Sequence, residues 1–149
     1  MLFMSGLGRL QDETFAGASE ATATSYPPER RLSSADLDSV LAAHRYAVVA
    51  SSRPSGRPHA TPVSYVMHGD EVWLPTVAGS VRARNVASSP WLVLVLTEGE
   101  GDSHLAVILE GPASVEASPP EGVERPEWAT EWIVLRPSKV LTFAAPGWS

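Results

Sequence analysis

The stretch WLVLVLT, residues 91–97, puts six apolar side chains in a row. Successive side chains of a β-strand point to opposite faces, so a run with no polar interruption calls for cover on both faces. In one domain of 149 residues, one face can turn inward to fill a barrel. The other face needs a second cover. With few helical segments elsewhere, the cover this run predicts is another copy of the same chain.

The neighbouring segments read as strands around it. YAVVASS (46–52) is rich in β-branched residues and stops at RPSGRP; RPHATPVSYVM (57–67) follows, and EVWLPT (71–76) returns antiparallel after the tight connection HGD. HLAVILEGPASVEA (104–117), EWIVLRP (131–137) and SKVLTF (138–143) complete the set. Short strands separated by turn signals predict an antiparallel barrel. Pro58 and Pro62 lie four apart, so their missing amide hydrogens fall along one edge of the second strand. Either a sheet edge or bulge, or an opening for a flat ligand, accounts for them.

Two helices are predicted. Ser33 or Ser34 can cap one, with Asp36 in its first turn and Leu37, Val40, Leu41 and His44 on one face. His44 reads as a helix-end histidine favoured by the dipole. The second runs from about Val81 to Ser88, with Ala83, Val86 and Ala87 toward the core. Residues 1–32 mix small and charged residues without a period and are expected to be a flexible extension, leaving 33–149 as the folded domain.

Charge narrows the functional classes. The net charge of −6 lacks the basic stripe that nucleic acid requires, and the absence of cysteine excludes disulfides and thiolate chemistry. His44, His59, His68 and His104 are not at metal-ligand spacings, and no Ser/His/Asp or paired-carboxylate motif stands out. No segment reaches the roughly 20 apolar residues of a membrane span, and a cytoplasmic protein is expected. The middle of this acidic chain is nevertheless basic: between residues 40 and 97, Arg45, Arg53, Arg57, Arg82 and Arg84 face only Asp70 and Glu71.

GSVRARNVASSP (79–90) concentrates that charge where it is least expected. Arg82 and Arg84 fall in the opening turn of a helix, whose positive end favours carboxylates instead. Gly79 allows a sharp turn, Ser80 can cap, and Arg82 lies beside Asn85 one turn on. Free amide hydrogens and an arginine fork together favour a phosphate or carboxylate. A bound anion would reverse the local electrostatics; two solvated surface arginines are the plainer alternative.

Taken in order, SGRPHATPVSYVMHGDEVWLPT, GSVRARN, SSPWLVLVL and LEGPASV resemble the split-barrel superfamily of the pyridoxamine 5′-phosphate oxidases and deazaflavin-dependent reductases, over about residues 33–143. The resemblance implies a mainly β fold, a six-stranded antiparallel Greek-key split barrel with two or three short helices. It further implies a homodimer with cofactor sites at the interface. Thr61, Pro62, Val63 and Ser64 correspond to the strand lining the flavin ring, and Thr76 to the hydroxyl near the ribityl-phosphate tail. Ser80 and Arg82 correspond to the phosphate-binding turn, and Arg84 with Asn85 to the RN of the deazaflavin branch.

The implied cofactor is FMN or a coenzyme F-420 type deazaflavin, and the implied activity is hydride transfer to a small organic substrate, with no side chain as an essential acid or base. Departures bear on this. The family's basic residues are replaced by Thr61, Val66 and Val81, and its glutamine by Ala106, so the vitamin oxidase reaction itself is not expected. The alternatives are a non-catalytic binder of flavin, haem or tetrapyrrole, and an oligonucleotide-binding barrel, which the charge does not support. His59 reads as a solvent-contacting strand residue, Lys139 as a strand-edge charge, and Trp128, Trp132 and Trp148 as core or barrel-end residues rather than ring-stacking ones.

Overall fold

The computed structural model describes residues 6–149. The strands are β1 (Tyr46–Ser52), β2 (Pro58–Ser64), β3 (Val66–His68), β4 (Glu71–Thr76), β5 (Trp91–Glu98), β6 (Leu105–Glu116), β7 (Glu131–Leu135) and β8 (Lys139–Ala144). All pair antiparallel, in the order β2-β1-β5-β6-β7-β4-β3, with β8 also on β6. The sheet is curled and its two end strands, β2 and β3, are consecutive in the chain, which is the form of a split barrel.

Eight strands stand where six were expected. The predicted strand 57–67 breaks at Tyr65, whose ring turns inward so that its hydroxyl donates to the Leu41 carbonyl at 2.7 Å. Before the break the chain pairs with β1; after it the chain pairs with β4 in the other half of the sheet. β7 and β8 run in line along β6, separated where Arg136–Ser138 bulges past Gly111. A Cβ on Gly111 would collide with the Arg136 carbonyl and lie 2.7 Å from the Ser138 nitrogen. β6 thus passes from β8 to β7 at a residue that only glycine can fill.

The helices number four among the described residues, α1 (Gly6–Ala16), α2 (Glu20–Ser25), α3 (Ser34–Ala43) and α4 (Val81–Ser88), rather than two or three. The first two correct the expected flexible extension; residues 1–5 of it lie outside the described residues. α1 lies along β8, with Leu7 and Phe15 buried. Gln11 is buried against Thr142 and donates to the Leu32 carbonyl, while Thr14 Oγ1 accepts from the Val140 amide at 3.1 Å. Burying Leu7 contributes about 1.5–3 kcal/mol toward ordering a segment whose composition alone looked unable to order. Side chains spaced four apart, Leu7, Gln11 and Phe15, form its buried stripe.

α3 follows expectation: Ser33 caps it by accepting from the Asp36 amide, and Leu37, Val40 and Leu41 enter the core. His44 ends it, with Nε2 2.8 Å from Glu98. On β5, Leu92, Leu94 and Leu96 are fully buried in the barrel. Val93 and Val95 on the other face are only half-buried, and Val48, opposite Val95, is exposed. Register continues this row through Ile108 to Leu141, an apolar stripe across four strands. The second face of the WLVLVLT run is therefore only half covered within one chain.

Candidate functional site

The turn before α4 is built by a short relay. Gly79 takes a φ of +80°, which the side chain of any other residue would strain, and directs Ser80 into the cap position. Ser80 Oγ accepts from the Ala83 amide at 3.3 Å and pairs with Thr76 Oγ1 at 2.8 Å. Thr76 is fully buried at the end of β4, so a rigid strand fixes the helix start. The inward stripe of α4 is Ala83, Asn85 and Val86; Ala87, expected in the core, is exposed. Asn85 takes that place because its amide donates to Ser51 Oγ at 3.1 Å, tying the helix to β1.

Arg82 sits in the first turn of this helix, half-buried. Its Nε is shut off from solvent without a hydrogen bond, and its guanidinium forms no ion pair within the described residues. Desolvation pushes its pKa below the usual arginine value. Buried positive groups are ordinarily paired. An unpaired guanidinium next to a helix N-terminus fits an anion supplied from outside. Arg84, by contrast, points to solvent.

The four ring-contact candidates divide. Even-numbered residues of β2 turn their backbone to the free edge of the sheet, since the Tyr65 amide reaches β1 at Arg45 and β2 has no other neighbour among the described residues. Pro58 and Pro62 therefore mark an edge strand, where a missing N–H costs nothing. Thr61 and Val63 face inward; Val63 is packed in the core, while Thr61 is half-buried. Pro62 is exposed, and Ser64 lines a cleft of about 450 Å³ with Tyr46, Val66, Pro75 and Trp132.

The inward set of β2 includes one residue that sequence reasoning had set aside. His59 is the register partner of Ser51 and is half-buried, with Nδ1 shielded and unbonded. Period-two alternation with Thr61 and Val63 was the signal that placed it on the inner face. Among the tryptophans, Trp132 is buried edge-on to Trp73, Trp148 donates to Glu98 at 2.6 Å, and Trp128 is exposed. No group of metal ligands occurs among the described residues, and no described helix is long and apolar enough to cross a membrane.

Comparisons with known proteins agree with this architecture. The conserved hypothetical protein Rv2991 of Mycobacterium tuberculosis superposes with a TM-score of 0.70 at 20% identity, over 80% of this chain and 89% of that one. A FAD-binding protein of Mycobacterium smegmatis gives 0.61 at 16% identity over 76% and 98%. An F420 reductase gives 0.57 at 17% over 69% and 94%. No curated protein matches the chain. The family model described as pyridoxamine 5′-phosphate oxidase matches residues 34–145, the whole barrel from α3 to the end of β8. With the curled sheet, the β4–α4 turn and that match in agreement, the chain belongs to the pyridoxamine 5′-phosphate oxidase family.

Proposed function

We propose that this chain is an oxidoreductase that binds FMN or a coenzyme F-420 type deazaflavin and transfers hydride between it and a small organic substrate. The observation that carries the reading is Arg82 at the start of α4, half-buried, with a shielded and unbonded Nε and no ion pair among the described residues. Ser80 and Arg82 hold the phosphate, while Thr76 keeps Ser80 in place. Thr61, Pro62 and Ser64 lie on an edge strand with no further strand beside it among the described residues, with room beside Ser64 for a flat ring. The bound ring supplies the hydride chemistry; the polypeptide supplies orientation and charge. The structural relatives named as a FAD-binding protein and an F420 reductase support a flavin-type ligand.

Two copies pair through the apolar row from Val48 to Leu141, which gives WLVLVLT its missing cover and brings the cofactor sites to the interface. Titrating the protein with FMN, FAD and F-420 while following the chromophore tests the cofactor. Saturable binding that weakens in Arg82→Ala is expected; binding of none of the three removes the reading. Turnover with a reductant and an acceptor separates an enzyme from a carrier that holds its chromophore without reoxidising it. Light scattering at the same concentrations tests the dimer, and a monomer at 100 µM would remove that part.

A further inference from the structure

Around the hydrogen bond that ties α4 to β1, the structure leaves one donor without an acceptor and one acceptor without a donor. Ser51 and His59 are register partners on neighbouring strands, with side chains on one face, where Cβ atoms lie about 5 Å apart. Ser51 Oγ receives the Asn85 amide at 3.1 Å, and Asn85 and Arg82 stand one turn apart on α4 with Cβ atoms about 5–6 Å apart. His59 and Arg82 therefore flank one hydrogen bond. His59 Nδ1 and Arg82 Nε are both shielded from water and both unbonded. In the tautomer protonated at Nε2, Nδ1 offers a lone pair; Arg82 Nε–H offers a proton. Each lacks what the other has.

We propose that His59 is a positioning residue for Arg82: its Nδ1 accepts the Arg82 Nε–H when the terminal guanidinium nitrogens hold a phosphate. This rests on the phosphate reading above. An arginine fork binds an oxyanion through two parallel N–H groups only when its plane is fixed. A third hydrogen bond at Nε fixes it, as the outer partner of a metal-bound histidine fixes that ring. Phosphate binding brings the two unbonded atoms into one hydrogen bond.

The experiment compares FMN with riboflavin, which share the ring and differ in the phosphate, by fluorescence titration of wild type and His59 variants. His59→Ala is expected to weaken FMN about tenfold, the loss of one hydrogen bond to a charged group, and to leave riboflavin unchanged. His59→Asn, whose Oδ1 takes the place of Nδ1, restores FMN affinity; His59→Gln, whose oxygen takes the place of Nε2, does not. In ¹⁵N spectra FMN moves the Arg82 Nε–H signal downfield while His59 stays unprotonated at Nδ1. Unchanged FMN affinity in His59→Ala, an equal loss for FMN and riboflavin, or Gln rescuing as well as Asn overturns the proposal. If Arg82→Ala weakens FMN relative to riboflavin while His59→Ala does not, only this inference fails; if neither variant weakens FMN relative to riboflavin, or wild type binds the two equally, the phosphate reading fails with it.

Discussion

Replacing Arg82 by methionine should make the protein more stable and less able to bind its ligand. The unbonded, shielded Nε–H carries a desolvation cost of about 1–3 kcal/mol. A cation in the first turn of α4 opposes the helix dipole by about 0.3–1 kcal/mol. Methionine keeps an apolar stem of similar length and drops both penalties. Part of the guanidinium still meets water, which places the gain near the low end, about 1 kcal/mol or about 3 °C in melting temperature for a domain of this size. Binding moves the other way: losing a charge-assisted bond of about 1.5–3 kcal/mol weakens FMN by about 10- to 150-fold. Calorimetry without ligand and fluorescence titration with FMN measure the two effects on one preparation. A variant that melts several degrees below wild type would show that Arg82 serves the fold, and equal FMN affinity would show that it does not hold the phosphate.

Three further outcomes are expected. Gly111→Ala forces a Cβ onto the Arg136 carbonyl and the Ser138 nitrogen, and should cost at least about 1–3 kcal/mol in urea unfolding; a neutral result would mean the segment Arg136–Ser138 moves aside freely. Leu7→Ala, at a fully buried site on α1, should cost about 2–5 kcal/mol, whereas a loosely attached segment would lose almost nothing. The Tyr65 phenol is pushed up to about 12 by burial, while the unfolded chain ionises near about 10. The Tyr65 contribution to stability should therefore be constant below about pH 10 and fall by about 1.4 kcal/mol per pH unit from there to about 12, and Tyr65→Phe should lose that slope as well as about 1 kcal/mol at neutral pH.

What the sequence disclosed was mostly local. The cap at Ser33, the turn at Gly79 and the strands on either side of α4 follow from residue types and spacing, and they recur where expected. The break at Tyr65 did not, because an extended run carries no mark of which half-sheet each end will join; that depends on a hydroxyl reaching Leu41, 24 residues away. α1 was missed for a related reason: its buried polar residue, Gln11, makes sense only beside Thr142, 131 residues on. At the site, Arg82 drew attention because charge and helix position conflict within four residues. His59 did not, since its significance comes from Ser51 across the sheet and Asn85 across the helix.

β6 has one further consequence. From residue 105 to 110 it is flanked by β5 on one edge and β8 on the other, and from 113 onward β7 takes over the second edge. Both halves of the barrel thus share a single ribbon of backbone, and neither can come apart without stripping amides from it. The amides of Val107 and Leu109 should be among the slowest to exchange with deuterium, and the two halves should melt as one cooperative unit, so that motion near α4 proceeds around a centre that stays shut.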